Sequence, residues 1–169
     1  MRIPRIAWAA YAMALLIVVV DQLSKAWVIS GLSLQEVGQV QVLPPIFNLS
    51  WVENTGVSFG LFGGGAARWA LVVFSLLVSA ALAAWAARTD RRLLITAIGM
   101  VMGGALGNVI DRIRFGYVVD FLDFSGTGVF PWVFNIADSA ITVGVLLLIL
   151  DSLRGERRPA QVGGVVEKS

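Results

Sequence analysis

Apolar residues are grouped into four long runs along the chain, and shorter polar segments separate them. A helix needs about 20 residues to cross the ~30 Å hydrocarbon core of a bilayer, and each run approaches that length. The pattern predicts four transmembrane helices, over about residues 6–29, 68–87, 93–113 and 131–151. Pro131 suits the first turn of the last helix, where its missing N–H group has no intrahelical partner to lose.

The first apolar run begins after Arg2 and Arg5, an arrangement that also occurs in cleaved signal peptides. However, Asp21, Gln22 and Lys25 follow directly where such a peptide has its small-residue cleavage site. We therefore expect this run to be a retained helix.

The composition agrees with a membrane protein and excludes several kinds of chemistry. Residues of the AVILMFWYC set make up 57% of the chain and charged residues 14%, which would leave a soluble domain with too much exposed apolar surface. The chain has no cysteine and no histidine, which excludes disulfides, thiol nucleophiles, Ser–His hydrolases and HExxH metalloproteases. The net charge of +2 comes from scattered basic residues, so nucleic-acid binding is not expected.

Lysine and arginine are concentrated on one side of the predicted spans. Nine of the 13 lie in the N-terminal segment, the loop at 88–92 and the tail from residue 154 onward. The positive-inside rule then places both termini in the cytoplasm, and the segments 31–65 and 111–130 on the outer side.

The first outer segment alternates apolar and polar residues with the period of a β-strand, over residues 39–42 and again over 47–52. We expect a small sheet at the membrane surface, over about residues 36–60, with a turn at 54–56. This segment is expected to hold a substrate against the bundle, and a mobile loop at 115–130 to cover it.

These features predict a mainly α, polytopic membrane protein: a four-transmembrane-helix bundle with a small extracytoplasmic β-sheet. It forms a single membrane domain over residues 1–154, with an outer loop at 115–130. A disordered cytoplasmic tail follows at 155–169.

Three of the predicted helices carry polar side chains at one depth, near the outer surface of the membrane. Ionisable and amide side chains are costly inside a bilayer and are functional candidates for that reason. These residues are Asp21, Gln22, Lys25, Asn108, Asp111, Arg112, Asn135 and Asp138.

The spacing of these residues predicts how they pair. Asn108 precedes Asp111 by three residues, as Asn135 precedes Asp138, so each amide is expected beside its acid. Glycines at four-residue intervals over 99–107 allow close helix approach, which is expected to bring the third and fourth spans together.

Several carboxylates have a structural explanation in the sequence. Asp21 can form an ion pair with Lys25 one helical turn away, and Asp111 has two arginines close after it. Asp123 and Asp151 are expected at solvated ends of their elements.

Asp120 and Asp138 are harder to explain structurally, because both lie among apolar residues without a basic neighbour within one helical turn. Two carboxylates close together in apolar surroundings cannot both ionise easily and tend to share a proton. One can then act as general base on a water molecule while the other, protonated, polarises a carbonyl group. This is aspartic protease chemistry, and it needs no histidine, cysteine or metal ion.

Five motifs in order include most of these residues: DQLSK at 21–25, NTG at 54–56, GGALGNVIDR at 103–112, VVDF at 118–121 and FNIADS at 134–139. In this pattern the chain resembles the bacterial lipoprotein signal peptidases (signal peptidase II) over nearly its whole length. The resemblance implies a polytopic aspartyl endopeptidase that removes signal peptides from prolipoproteins. Such enzymes cleave on the N-terminal side of a diacylglyceryl-modified cysteine, at the outer face of the cytoplasmic (inner) membrane.

The resemblance also implies roles for individual residues. The catalytic pair corresponds to Asp120 and Asp138. Substrate-binding or site-supporting positions correspond to Asn54, Asn108, Asp111, Arg112, Asn135, Asp21 and Lys25. One departure is Val57–Ser58, which replaces the Ala-Ala pair usual after NTG and bears on substrate fit rather than on reaction type.

The partners implied are diacylglyceryl-modified prolipoproteins and membrane lipids. No cofactor and no metal ion are expected, and the enzyme is expected to be a monomer.

Three other functions remain as alternatives. A proton-coupled transporter would place its acids near the membrane midplane between repeated halves, whereas these acids lie on one side. A Ser–Lys protease would need a serine other than Ser24, because Ser24 and Lys25 are adjacent and do not face each other. A non-enzymatic assembly factor would leave Asp120 and Asp138 unexplained.

Overall fold

The computed structural model describes residues 4–56 and 64–156 and consists of a helical bundle with a four-stranded sheet at one end. The helices are α1 (Ala7–Ala26), continued by a π-helical turn (Trp27–Gly31), α2 (Leu34–Val37), α3 (Gly64–Ala86), α4 (Arg92–Arg114) and α5 (Ile136–Glu156). The strands are β1 (Gln39–Leu43), β2 (Phe47–Asn54), β3 (Val118–Asp123) and β4 (Val133–Phe134), all antiparallel in the order β1-β2-β3-β4.

The predicted fold class is confirmed. α1, α3, α4 and α5 are long and apolar enough to cross a membrane, and α4 is the most buried of them. Of the sequence predictions, Val57–Ser58, the end of the outer β segment at 57–60 and the tail beyond residue 156 lie outside the described residues.

Glycines set the distances between α4 and its neighbours. The expected approach of the third and fourth spans is confirmed, but two of the glycines expected to allow it lie against α1 instead. Gly99 and Gly103 face α1: a Cβ on either would lie 2.7 Å from a carbonyl oxygen of that helix. Gly104 faces α5, where a Cβ would overlap the carbonyl oxygen of Ala137. Small residues next to each other in sequence point to different sides of a helix, so their spacing alone does not identify the neighbour.

The predicted start of the last helix at Pro131 is wrong, because α5 begins at Ile136. Residues 133–134 form β4 and pair with β3 instead. The side chain of Asn135 then accepts the Asp138 N–H group at 2.8 Å and so caps the helix.

The strands expected at 39–42 and 47–52 are confirmed as β1 and β2. The segment 115–130, however, is not simply a loop, because it contains β3. This strand is buried on both faces and therefore lacks the alternation of apolar and polar residues that makes a half-exposed strand recognisable.

An apolar cluster fixes the sheet to the helix ends. Its buried members are Val28, Leu34, Leu49, Val119 and Phe121, each no more than 5% exposed. The sheet is thereby held over the end of the bundle that carries the polar residues of α1, α4 and α5.

Asp123 and Asp151 are both buried, so their prediction as solvated ends is wrong. Asp123 accepts hydrogen bonds from the Ser50 hydroxyl at 2.5 Å and from the Ser125 N–H at 2.8 Å. Asp151 forms a 2.7 Å ion pair with Arg91 at the opposite end of the bundle from the sheet.

Candidate active site

Asp120 lies in β3 and is 1% exposed. Its Oδ2 accepts a hydrogen bond from Asn54 Nδ2 at 2.9 Å, and its Oδ1 accepts one from Asn135 Nδ2 at 2.6 Å. Asn54 ends β2, which pairs with β3, and its side-chain oxygen also accepts the Gly56 N–H at 2.8 Å. Both oxygens of Asp120 are therefore held by amide groups.

Asp138 lies in the first turn of α5 and is half-buried. Its Oδ1 accepts a hydrogen bond from Asn108 Nδ2 of α4 at 2.8 Å. The Asn108 side-chain oxygen in turn lies 3.3 Å from Asn135 Nδ2. The two amides thus connect Asp138 to Asp120 through an unbroken series of hydrogen bonds.

The pairing of amides and acids differs from the one expected from spacing. Asn108 donates to Asp138 across the interface with α5 and not to Asp111 three residues away in its own helix. Asn135 donates to Asp120 and caps the backbone of Asp138. The expected pair of Asn108 with Asp111 is wrong because Asn108 faces α5 while Asp111 faces α1. Asn135 does lie beside Asp138 as expected, but it bonds to the backbone N–H and not to the carboxylate.

Burial and the neighbouring Asp138 carboxylate raise the pKa of Asp120 to about 7, because both disfavour its charged form. Hydrogen bonds from Asn54 and Asn135, and the charge of Lys25, act in the opposite direction but are outweighed. Asp120 is therefore protonated in a large fraction of molecules near neutral pH.

A second cluster of charged residues lies next to Asp120 and Asp138 and consists of Asp21, Lys25 and Asp111. Lys25 Nζ is 2.8 Å from Asp21 Oδ2, which confirms the predicted ion pair, and 2.6 Å from Asp111 Oδ2. Asp111 is thus paired with Lys25 of α1 rather than with the arginines near it in sequence. Gln22 Nε2 donates to Asp111 Oδ1 at 2.8 Å. Gln22 belongs to the motif DQLSK, but the sequence did not indicate a role for it.

Arg112 lies on the side of α4 that faces the catalytic candidates. Its guanidinium interacts electrostatically with Asp138, Asp111 and Asp120, and its Nη1 donates to the Asn108 carbonyl oxygen at 3.4 Å. Its Nη2 lies 3.2 Å from the position that a Cβ on Gly56 would occupy. The structure therefore brings every predicted site residue to the sheet end of the bundle.

A cavity of about 650 Å³ lies over Asp120. Its walls are residues 52–56 at the end of β2 and residues 131–133, which include the largely exposed Trp132. The contribution of 131–133 was not foreseen, since the apolar pattern assigned these residues to the last helix. The cavity lies beside Asp120, which the two amides link to Asp138, and it provides space for an extended peptide and for a water molecule.

Residues 13–154 match the family described as signal peptidase (SPase) II. The chain belongs to this family. The protein is therefore an aspartic endopeptidase of the membrane, as the resemblance of its motifs implies.

Two curated relatives and one solved structure illustrate the similarity. The lipoprotein signal peptidase of Caulobacter vibrioides is 49% identical over 156 residues, covering 91% of this chain and 92% of the relative. That of Sphingopyxis alaskensis is 44% identical over 136 residues, covering 79% and 78%. A solved bacterial membrane enzyme superposes with a TM-score of 0.76 at 28% identity, covering 90% of this chain and 92% of that chain.

Proposed function

We propose that the protein removes signal peptides from prolipoproteins by cleaving on the N-terminal side of a diacylglyceryl-modified cysteine, with Asp120 and Asp138 as the catalytic pair. The observation that carries the proposal is the hydrogen-bonded connection of Asp138 to Asp120, which lines the cavity. The names of the relatives at 43–49% identity support the substrate class.

The different environments of the two acids suggest their roles. Asp138 is the more exposed and acts as the general base: it takes a proton from a water molecule, whose oxygen attacks the scissile carbonyl carbon. Asp120, protonated, donates its proton to the carbonyl oxygen as the tetrahedral intermediate forms. The intermediate then collapses, and the C–N bond breaks. Asp138 returns its proton to the leaving nitrogen, and Asp120 regains a proton as the carbonyl reforms. The products are a free carboxyl group and a free amine on the lipidated cysteine.

The supporting residues act on this pair. Asn54, Asn108 and Asn135 hold the carboxylate oxygens, and Arg112 provides positive charge that interacts with both acids. Asp21, Lys25 and Asp111 support the site from below.

The proposal includes a location and a domain organisation. Residues 1–154 form one domain of the bacterial inner membrane with both termini cytoplasmic, as the distribution of basic residues suggests. The sheet and the acids then lie at the outer face, where a cysteine whose acyl chains lie in the outer leaflet presents its scissile bond. The partners are diacylglyceryl-modified prolipoproteins and membrane lipids, and the working unit is a monomer.

The substrate class is tested with one prolipoprotein peptide prepared with and without the diacylglyceryl group. Purified enzyme in lipid should cleave the lipidated peptide before its cysteine, and the unmodified peptide roughly 100-fold or more slowly, because binding of the acyl chains also positions the scissile bond. Mass spectrometry of the products identifies the bond, and EDTA should leave the rate unchanged. Equal cleavage of both peptides, or cleavage at another bond, contradicts the proposed substrate.

The raised pKa of Asp120 predicts the alkaline limit of the reaction. Below about pH 7 this acid holds the proton that it donates to the carbonyl oxygen, and above that value the proton is lost. The kcat/KM, which reports ionisations of the free enzyme, should therefore fall as the pH rises through 7, and by about tenfold for each further unit. The check is kcat/KM, measured with substrate well below KM across the neutral range, with thermal unfolding recorded at each pH. A rate that stays constant well above pH 7 while the protein remains folded contradicts the role given to Asp120.

A further inference from the structure

Two buried carboxylates outside the catalytic pair accept hydrogen bonds from backbone N–H groups directly next to it. Asp111 Oδ2 accepts the N–H of Val119, the residue before one catalytic aspartate, at 3.1 Å. Asp21 Oδ1 accepts the N–H of Ala137, the residue before the other, at 3.0 Å. The residue before each catalytic aspartate therefore donates its backbone N–H group to a buried aspartate of another element.

One cation joins these two acids. Lys25 Nζ lies 2.8 Å from Asp21 Oδ2 and 2.6 Å from Asp111 Oδ2, and the three side chains are at most 2% exposed. Gln22 Nε2 adds hydrogen bonds to Asp111 at 2.8 Å and to Asp21 at 3.2 Å. A buried group of charges with this many bonds has little freedom to rearrange, because each broken contact leaves a charge without a partner.

We propose that Asp21, Lys25 and Asp111 form a clamp that sets the separation of the two catalytic aspartates by holding the backbones of β3 and α5. Asp120 is on a strand of the sheet and Asp138 is on a helix of the bundle, so the separation of the two acids depends on how these elements are held together. Asp21 and Asp111 act here as positioning residues, not as catalytic ones. The inference rests on the proposed function, since it concerns the same pair of acids.

The clamp also explains why the cluster lies where it does. A lysine paired with one aspartate would satisfy the charges within α1, as Asp21 and Lys25 do one turn apart. The second acid, Asp111, adds a link to α4 and, through Val119, to β3. Lys25 Nζ also lies 3.5 Å from the Asn108 side-chain oxygen, which favours the orientation in which the Asn108 amide nitrogen faces Asp138.

The test compares alanine with asparagine at each acid. Asp111→Ala and Asp21→Ala remove the acceptor of the backbone bond, and each should lower kcat by about 100-fold while KM stays within about twofold, because small misplacements of catalytic groups have effects of this size. Asp111→Asn and Asp21→Asn keep an oxygen for the N–H group. They should retain about tenfold more activity than the alanine variants.

The pH dependence of the rate distinguishes displaced catalytic aspartates from a smaller folded fraction. A smaller folded fraction lowers the rate at every pH but does not shift the profile. Asp111→Ala removes a hydrogen bond that holds β3, so the contacts of Asp120 with Asn54 and Asn135 change and the alkaline limb of kcat/KM should move. The charged groups around Asp120, which are Asp138 of α5, Arg112 of α4 and Lys25 of α1, remain in this variant. Asp21→Ala acts on α5, which carries Asp138 and is capped by Asn135, so the limb should move in this variant too.

Asp151→Asn is the matched control, because it removes a buried acid of a 2.7 Å ion pair at the other end of the bundle. It should lower thermal stability without changing kcat, KM or the pH profile. If an alanine variant does not fold, Lys25→Arg replaces it: the larger planar head keeps the charge but displaces both acids, and kcat should fall in a folded protein.

Unchanged kcat per folded molecule in the Asp21 and Asp111 variants, or in Lys25→Arg, overturns the clamp. Equal loss in the alanine and asparagine variants also overturns it, since charge and not the backbone bond would then be responsible. These results are distinct from failure of the proposed function, in which Asp120→Asn and Asp138→Asn would remain active.

Discussion

Asp120→Asn and Asp138→Asn should each lower the cleavage rate by at least about 10³-fold, the upper range for loss of a general acid or base. An amide neither accepts the proton of water nor donates one to a carbonyl oxygen, so either change removes a step of the proposed reaction. The measurement is cleavage of the lipidated peptide by purified protein, followed long enough to detect a residual rate.

The two variants differ in how well they preserve the site. Among residues 4–56 and 64–156, the Asp138 side chain receives one hydrogen bond, from Asn108, and the remaining oxygen of an asparagine still accepts it. Asp120 receives amide N–H groups on both oxygens, so a new NH₂ group would face a donor and the protein should lose about 1–3 kcal/mol of stability. Asp138→Asn is therefore the cleaner test, with unfolding measured for both.

Asp123→Asn provides the control, because Asp123 is also a buried acid of β3 but lies outside the cavity lining. Its activity should stay within about twofold of the unchanged protein, as for most substitutions away from a site. If Asp120→Asn and Asp138→Asn both cleave normally, the pair is wrong and Asp111 becomes the next candidate partner.

Lys25→Met should destabilise the protein by about 3–5 kcal/mol, as is usual when one partner of a buried ion pair is removed. The reason is that the Asp21 and Asp111 side chains are 0% exposed and would be left without a cation. The free energy of unfolding in a mixed detergent system measures the effect.

Arg91→Met is the comparison for this loss, because Arg91 also pairs with an aspartate but its own side chain is 46% exposed. Water screens such a pair, so its removal should cost at most about 1 kcal/mol. Combining Lys25→Met with Asp21→Asn and Asp111→Asn should recover much of the lost stability, since replacing a whole buried charge group is often neutral. A loss for Lys25→Met no larger than for Arg91→Met would show that the buried cluster does not need its cation.

Much of the architecture could be predicted from the sequence. The four spans follow from the length of apolar runs, and β1 and β2 follow from their alternation, because both are local properties. The Asp21–Lys25 pair was predictable for the same reason, as the two residues are one helical turn apart. β3 and the start of α5 were not, because burial on both faces and pairing with β4 depend on distant parts of the chain.

The sequence by itself determined which residues are candidates for the site, since few polar groups occur at membrane depth and their motifs are those of the signal peptidase II family. Only the tertiary structure decided how they pair: Asn108 with Asp138, Asn135 with Asp120, and Lys25 with Asp111 as well as Asp21. Spacing along a helix shows which residues share a face, whereas the neighbour of that face depends on how the helices pack. In this protein glycines bring α4 close to both α1 and α5, and that close approach makes the cross-helix hydrogen bonds possible.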